Sequence, residues 1–474
     1  MTKTKNILAV AALVLSSGIS IHAQLALFEP PTGMYLGAWV DGTPVNGLPS
    51  DSPAMLNNRS NRLFSVYHFA QNIPGNSSSS NYVDTTAYFA QPQLDATTSD
   101  AILFLTVYPK GPNGLNVTDA DINQLALQMQ SLNRAGRRVM LRLAPEMNGS
   151  WNVWGQRPSS FIAFWKRVVP AVKAIAQNVA FVWSPSSGNG YPFLNGAYSP
   201  VNGSTDYLAM DTNGDGILDI NDDPYSVYYP GDSFVDWVGL SIYYYGQSYP
   251  WVNNVLPVPG QTAAEIFGTN STTLGSSTNQ YGSFNFYQMF CVNRSKPFAA
   301  SEYAAAFHLP ATPAMQAAGI YDVAPGSSII VATPLQSSYT SYAIGPGELA
   351  IKQRWWQQTL TNSTFLKMYP RFKLFNLFEF RKVEETTFRD FQVTNSSNPV
   401  VTNAFFNDLD NSGVKIVYAN SSLKVQNPSS NTTVGGDGSG GANIVNSSAD
   451  VSSFIPSSAS MMVFAFISVI YYFM

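Results

Sequence analysis

The feature that most constrains this chain is a rhythm. Eight apolar runs, rich in β-branched and aromatic residues, recur between positions 34 and 380, separated by stretches of helical pattern. They are MYLGAWV (34–40), RLFSVYHFA (62–70), AILFLTVYP (101–109), RVMLRLA (138–144), VAFVWS (179–184), FVDWVGLSIY (234–243), KPFAASEY (296–303) and FKLFNLFEF (372–380). Between them, TDADINQLALQMQSLNRAG sets Ile122, Leu125, Leu127 and Met129 at near-helical spacing after an Asp-rich start, with Gly136 as a stop. SSFIAFWKRVVPAVKAIAQ, GSFNFYQMFCVN and GELAIKQRWWQQTL read the same way, and Pro170 is expected to kink or break the first. Consecutive parallel strands need helical crossovers, so this alternation predicts an α/β fold, a (β/α)8 TIM barrel with long loops. A doubly wound open sheet is the alternative. It lacks direct support, because no Gly-x-Gly-x-x-Gly follows the first strand and no P-loop occurs.

Composition narrows the chemistry. The single Cys, Cys291, excludes a disulfide framework and any multi-Cys metal site, and its apolar helical surroundings read as a buried core position. Of three His, His22 falls in a segment expected to be removed; His68 and His308 are scant material for a zinc centre or a Ser/His/Asp triad. Carboxylates remain as the candidate catalytic groups. A formal charge of −4, with basic residues scattered, argues against nucleic acid or an anionic membrane surface as the main partner.

The two ends read as addresses. MTKTK followed by NILAVAALVLSSGISI, with Ile21 and Ala23 at −3 and −1, predicts a secretory signal peptide over 1–23. At the other end MMVFAFISVIYYFM is apolar to the last residue and has no basic residue beyond it. The small residues Asn446, Ser447, Ser448 and Ala449 lie upstream of it, as in a GPI-attachment signal, with 447–474 as its propeptide. The expected organisation is a barrel over 26–412, a disordered Ser/Asn/Gly-rich stalk over 413–446, and a secreted, cell-surface, monomeric protein that touches membrane only through the anchor. Sequons at Asn58, Asn76, Asn116, Asn202, Asn270 and Asn395 agree with a secreted glycoprotein.

In a barrel the functional residues sit at the C-terminal strand ends. Glu146 closes the fourth run in RLAPEMNGSWNVWG and Glu302 closes the seventh in KPFAASEYA, so the two would face each other across the mouth. Paired carboxylates are what glycosidic hydrolysis requires, one to protonate the leaving oxygen and one to attack the anomeric carbon or activate water; retaining geometry sets them about 5 to 5.5 Å apart. Trp151, Trp154 and Trp183 offer faces for sugar rings, Asn148 a hydrogen bond to a hydroxyl, and Arg142 lies on the same side of its strand as Glu146. Each Trp is weighed equally as core.

These stretches resemble glycoside hydrolase family 26, a family of β-mannanases with some glucanases and xylanases, over most of residues 34–390. RLAPEMNGSWNVWG is similar to the family's acid/base motif, which implies that role for Glu146. KPFAASEYA resembles the nucleophile strand, implying Glu302 as nucleophile. YYPGDSFVDWVGLSIYYYG resembles the sixth-strand segment, which implies that Tyr243 donates a hydrogen bond to the nucleophile and that Asp236 has a structural or supporting role. LFEFRKVEETTFRDF matches the eighth-strand segment in position. The family's usual His before the acid/base Glu is Pro145 here, which can neither hydrogen-bond through its side chain nor titrate. The resemblance implies double displacement on a β-linked polysaccharide of mannan or glucan type. A non-catalytic glycan-binding wall protein and a wall-remodelling transglycosylase are the alternatives.

Finally, DTNGDGILDIND (211–222) has the spacing of a calcium loop. Asp211, Asn213, Asp215, the Ile217 carbonyl, Asp219 and Asp222 are the expected ligands, with Gly216 at the sharp turn. Structural Ca²⁺ is expected there, and no organic cofactor.

Overall fold

Every one of the eight runs is a strand, and each pairs in parallel with the next: β1 (Met34–Val40), β2 (Val66–Ile73), β3 (Ile102–Pro109), β4 (Val139–Leu143), β5 (Val179–Trp183), β6 (Trp237–Tyr244), β7 (Phe298–Ala305) and β8 (Phe372–Glu379). β8 pairs with β1 from Tyr35↔Leu374 to Val40↔Glu379, which closes the sheet into the expected (β/α)8 barrel. The structure, a computed structural model, describes residues 25–421 apart from 43, 46–47, 50, 75–84, 113, 248–250, 252, 269–282, 310–319, 325–326, 331–344, 385–386 and 397. The expected signal peptide and GPI propeptide, with Asn76 and Asn270, lie outside the described residues.

Both faces of the sheet are covered, which is why the runs read as near-continuous apolar stretches instead of strict alternation. Inward residues Tyr35, Val66, Ile102, Phe104, Met140, Ala180, Val182, Trp237, Ala299 and Leu374 fill the barrel's lower interior. Outward residues pack on the helices α1 (Pro53–Ser60), α2 (Thr85–Asp95), α3 (Asp119–Arg134), α4 (Pro158–Ile175), α5 (Thr205–Met210), α6 (Gln261–Phe267), α7 (Glu348–Trp356), α8 (Ser363–Met368) and α9 (Pro399–Asn411). The α3 start follows from its sequence. Thr118 caps the Asp121 amide, and the Asp121 side chain reaches back to the Thr118 amide. Pro170 does not divide α4, which continues through it as one helix with Phe161, Phe164, Trp165, Val168, Val169 and Val172 buried. The segment expected as a helix around Cys291 is a π-helical turn, Tyr287–Val292, with the thiol buried.

One boundary differs from expectation. Residues 413–421 do not begin a free stalk: Ile416 and Val417 pair with Met34 and Tyr35, and the Asn420 amide donates to Asp100 Oδ1 at 2.7 Å. The segment carries Val414, Ile416, Val417 and Tyr418, apolar enough to be held by the lower rim of the barrel.

Candidate active site

The polar centre lies above the apolar interior, at the C-terminal strand ends. Arg142 comes from β4, Ser241 and Tyr243 from β6, and Glu302 from β7. Simple alternation would not aim Glu302 inward, because Ala299 already faces the interior and Glu302 is an odd number of residues further on. The β6–β7 pairing shifts register between Leu240, opposite Ala300, and Ser241, opposite Glu302. That bulge re-aims the carboxylate. Gly239 makes room for it, since a Cβ there would lie 2.5 Å from both the Ala299 carbonyl oxygen and Ser301 Oγ.

Arg142 is the pivot of the site and is fully buried. Its Nη1 donates to Glu302 Oε1, its Nη2 donates to Ser241 Oγ at 2.6 Å, and Nη2 lies 3.9 Å from Glu146 Oε1. Burial works against the guanidinium charge, but Glu302 and Glu146 outweigh it and raise the Arg142 pKa. Tyr243 Oη donates to the other oxygen of Glu302. Burial first, and then the Glu302 charge, push the phenol well above its ordinary value, so Tyr243 remains a donor.

Glu146 stands on a strained turn: Ala144 and Glu146 have φ of 46° and 55°, a region that non-glycine residues seldom occupy. Trp151 folds back to donate Nε1 to Glu146 Oε2 at 2.8 Å, over Gly149, where a Cβ would lie 2.3 Å from the indole. Burial raises the Glu146 pKa most and the Glu302 charge adds to it, while Arg142 and the hydrogen bonds from Ser241 and Trp151 pull the other way. A carboxyl that holds its proton more tightly than usual, beside a second carboxyl group fixed by two donors, is the division of labour that acid-assisted bond cleavage needs.

This has a consequence for stability. A carboxyl that ionises less readily folded than unfolded favours the fold while protonated, and that contribution is lost as pH rises through its raised folded value. Glu146→Gln is therefore expected to raise the melting temperature at neutral pH, with a gain that shrinks as the pH falls toward the ordinary carboxylate range. Thermal melts between pH 3 and 8 test this, and a gain independent of pH would refute it.

The remaining expected residues divide sharply. Trp151 is half-buried beside the acid, edge-on to Phe193. Trp154 and Trp183 are not platforms. Trp154 is buried with Nε1 on the Pro145 carbonyl, and Trp183 is buried against Phe286 and Phe290 with Nε1 on the Tyr228 carbonyl. Asn148 is also buried, and its amide clamps the Ser186 backbone through both ends, so it ties the β4 and β5 loops together and offers nothing to a hydroxyl. Asp236 lies at the opposite end of the barrel, accepting from Lys173 Nζ and the Phe181 amide, a purely structural position. Glu379 is buried under the amides of Val393 and Thr394 and does not face the cleft.

In the 211–222 loop, Asp211 accepts the amides of Gly214, Asp215 and Gly216, and Asp215 accepts that of Ile217. Asp222 is fully buried on the amides of Thr212 and Asp219, and Asp219 accepts from Asn221. The donors suit a hard cation in type, and their oxygens are here taken up by the loop's own amides. Among the described residues no three acidic, His or Cys side chains gather as a metal cage.

Several mouth residues escaped the sequence reading. Ser241 links Arg142 to Glu146, Tyr108 stacks at 5.7 Å on Trp154 near both carboxylates, and Trp39, His68 and Phe378 line the β1–β8 side. Their signal was present in strand parity, because all are inward positions, with Tyr108, Trp39 and Phe378 next to the C-terminal ends of their strands.

Residues 94–227 match the family model described as Glycosyl hydrolase family 26. Endoglucanase H of Acetivibrio thermocellus is 26% identical over 260 residues, which are 52% of this chain and 24% of that protein. The chain thus spans about a quarter of the length of this curated relative. Among solved structures, Bacillus subtilis mannanase man26 aligns at 12% identity with a TM-score of 0.40, over 74% of this chain and 81% of that one. A modular endo-β-1,4-mannanase from Cellulomonas fimi aligns at 12% and 0.46, over 81% and 72%. At such scores the barrel rests on its own strand pairing. The matched segment runs from the end of α2 past β5 and contains Arg142, Glu146 and Trp151, and over this segment the chain is similar to glycosyl hydrolase family 26.

Proposed function

We propose that the chain is a retaining glycoside hydrolase acting on a β-linked polysaccharide of mannan or glucan type, with Glu302 as nucleophile and Glu146 as acid/base. The observation that carries this reading is the single guanidinium of Arg142 between the two carboxylates, with Tyr243 on the far oxygen of Glu302. One guanidinium in reach of both carboxylates supports a close pair of the kind that double displacement uses. Arg142 and Tyr243 fix Glu302 for attack on the anomeric carbon. Glu146 gives its proton to the departing oxygen and then deprotonates the incoming water. Pro145 contributes no side-chain donor, and Trp151 and Ser241 serve Glu146 instead. Release of reducing ends from mannan, mixed-linkage glucan, β-1,3-glucan and xylan tests the reading. Binding without turnover, unchanged in Glu302→Ala, would replace it with a glycan-binding wall protein.

The same reading makes the protein secreted and GPI-anchored, supported by the basic-then-apolar start, the apolar end and the exposed sequon residues Asn58, Asn116 and Asn202. Phospholipase release from the cell surface and glycosidase-sensitive mobility test these. Calcium at 211–222 is proposed from donor spacing alone; binding requires the carboxylates to exchange amides for the ion. A melting temperature that rises in calcium over EGTA, and does not in Asp211→Ala, supports it, whereas equal melts overturn it.

A further inference from the structure

The cleft has a second aromatic wall that the acid/base motif does not predict. Trp39 is the inward residue at the C-terminal end of β1, paired in register with Phe378 of β8. Its indole lies on His68 with ring centroids 4.0 Å apart, and Phe378 and Phe380 meet it edge-on at 5.6 and 5.3 Å. The imidazole backing is rigid: His68 Nε2 donates to Thr106 Oγ1 at 2.6 Å while Nδ1 accepts from Asn376 Nδ2 at 2.9 Å. Burial, and then the Arg142 charge, keep His68 neutral, so the stack is not disturbed by titration near neutral pH.

Trp39 differs from the buried tryptophans in two ways. It is half-buried at the barrel mouth, whereas Trp154, Trp183 and Trp237 are enclosed, each with Nε1 bonded to a backbone carbonyl. Its own Nε1–H is neither bonded to a described residue nor among the buried unpaired atoms. An aromatic face braced from behind, with an open donor on its rim, fits a pyranose ring bearing hydroxyls.

Its position sets the polarity of the site. From Glu302 the aromatic rim runs through Tyr243 to Phe378 at 5.5 Å and on to Trp39. Glu146 and Trp151 stand on the β4 side, across the barrel from β1. The acid must face the leaving group, so the retained part of the chain extends toward β1. We infer that Trp39 is a glycon-side platform, stacking on a pyranose ring of the polysaccharide and donating Nε1–H to one of its hydroxyls, opposite the leaving-group wall at Trp151. This deepens the proposed function and rests on reading the cleft as a glycan site.

The test has two readouts. In full-length protein carrying Glu302→Ala, affinity electrophoresis in polysaccharide gels measures binding without turnover. In otherwise native protein, kcat/KM is measured on oligosaccharides lengthened at the non-reducing end. Trp39→Ala is expected to weaken binding about tenfold and to lower kcat/KM mainly through KM, most for the longer substrates. Trp39→Phe should keep a large part of the affinity, and Trp39→Leu, which preserves packing on Phe378 and Phe380, should behave like Trp39→Ala. Folding is checked by circular dichroism, so a misfolded Ala variant leaves the Leu variant to decide. Retained binding in folded Trp39→Leu overturns the inference, as does a loss independent of substrate length. Absence of turnover in native protein, with binding that still depends on Trp39, overturns hydrolysis and leaves the platform intact. Absence of all glycan binding overturns both.

Discussion

Glu302→Ala is expected to lower turnover by roughly 10⁴-fold or more, because under the proposed double displacement it removes the nucleophile and leaves the groups oriented around it without a task. Arg142 loses a buried partner and Tyr243 its acceptor, yet the ring stack and Trp151 remain, so binding should outlast activity. A small anion such as azide, occupying the space of the lost carboxylate, is expected to restore turnover and to give a product of inverted configuration, because only one displacement then occurs. Nuclear magnetic resonance of that product distinguishes the two mechanisms. If Glu302→Ala keeps native activity, Glu302 is not the nucleophile.

Lys352→Ala carries the largest expected loss of stability. The ammonium is fully buried in α7 and bonded to Glu348 at 2.7 Å, Asp390 at 3.0 Å and the Gln392 carbonyl at 2.6 Å. Burial opposes its charge, but Asp390 and Glu348 outweigh that and raise its pKa. Truncation leaves both carboxylates in the interior with their cation gone, although Arg381 still bonds Asp390. Breaking a buried pair in this way costs about 3–5 kcal/mol. Denaturant unfolding should show that loss, and adding Asp390→Asn should cost less than the sum of the two single changes. Activity should also fall at temperatures where the protein stays folded. Asp390 adjoins Phe391, which packs at 5.8 Å on Tyr243 and so helps fix the donor to Glu302. A loss under 1 kcal/mol would mean that the cluster is solvated in practice.

Strand ends in barrels carry function, so Glu146 and Glu302 were legible from run endings and Arg142 from parity. Trp183 and Trp154 lie at or beyond strand ends but are buried: Trp183 follows the inward Val182 and so turns outward, and Trp154 is held in the loop after β4 by the Pro145 carbonyl. Asn148 sits beside the acid in sequence, but its amide is consumed by Ser186, a neighbour that only the β4–β5 pairing supplies. The 211–222 loop keeps the spacing of cation ligands, while its own amides compete for the same oxygens.

The rhythm of eight apolar runs by itself determined an α/β fold with a parallel sheet covered on both faces, and pointed to a barrel over an open sheet. The shortage of His and Cys left carboxylates as the candidate catalytic groups. Tertiary structure alone decided which side chains meet. A one-residue bulge between β6 and β7 turns Glu302 inward, and closure of β8 onto β1 brings Trp39, His68, Asn376 and Phe378 together across more than 300 positions of chain. Register and closure are long-range properties, summed over many weak strand contacts, and no local window of sequence encodes them.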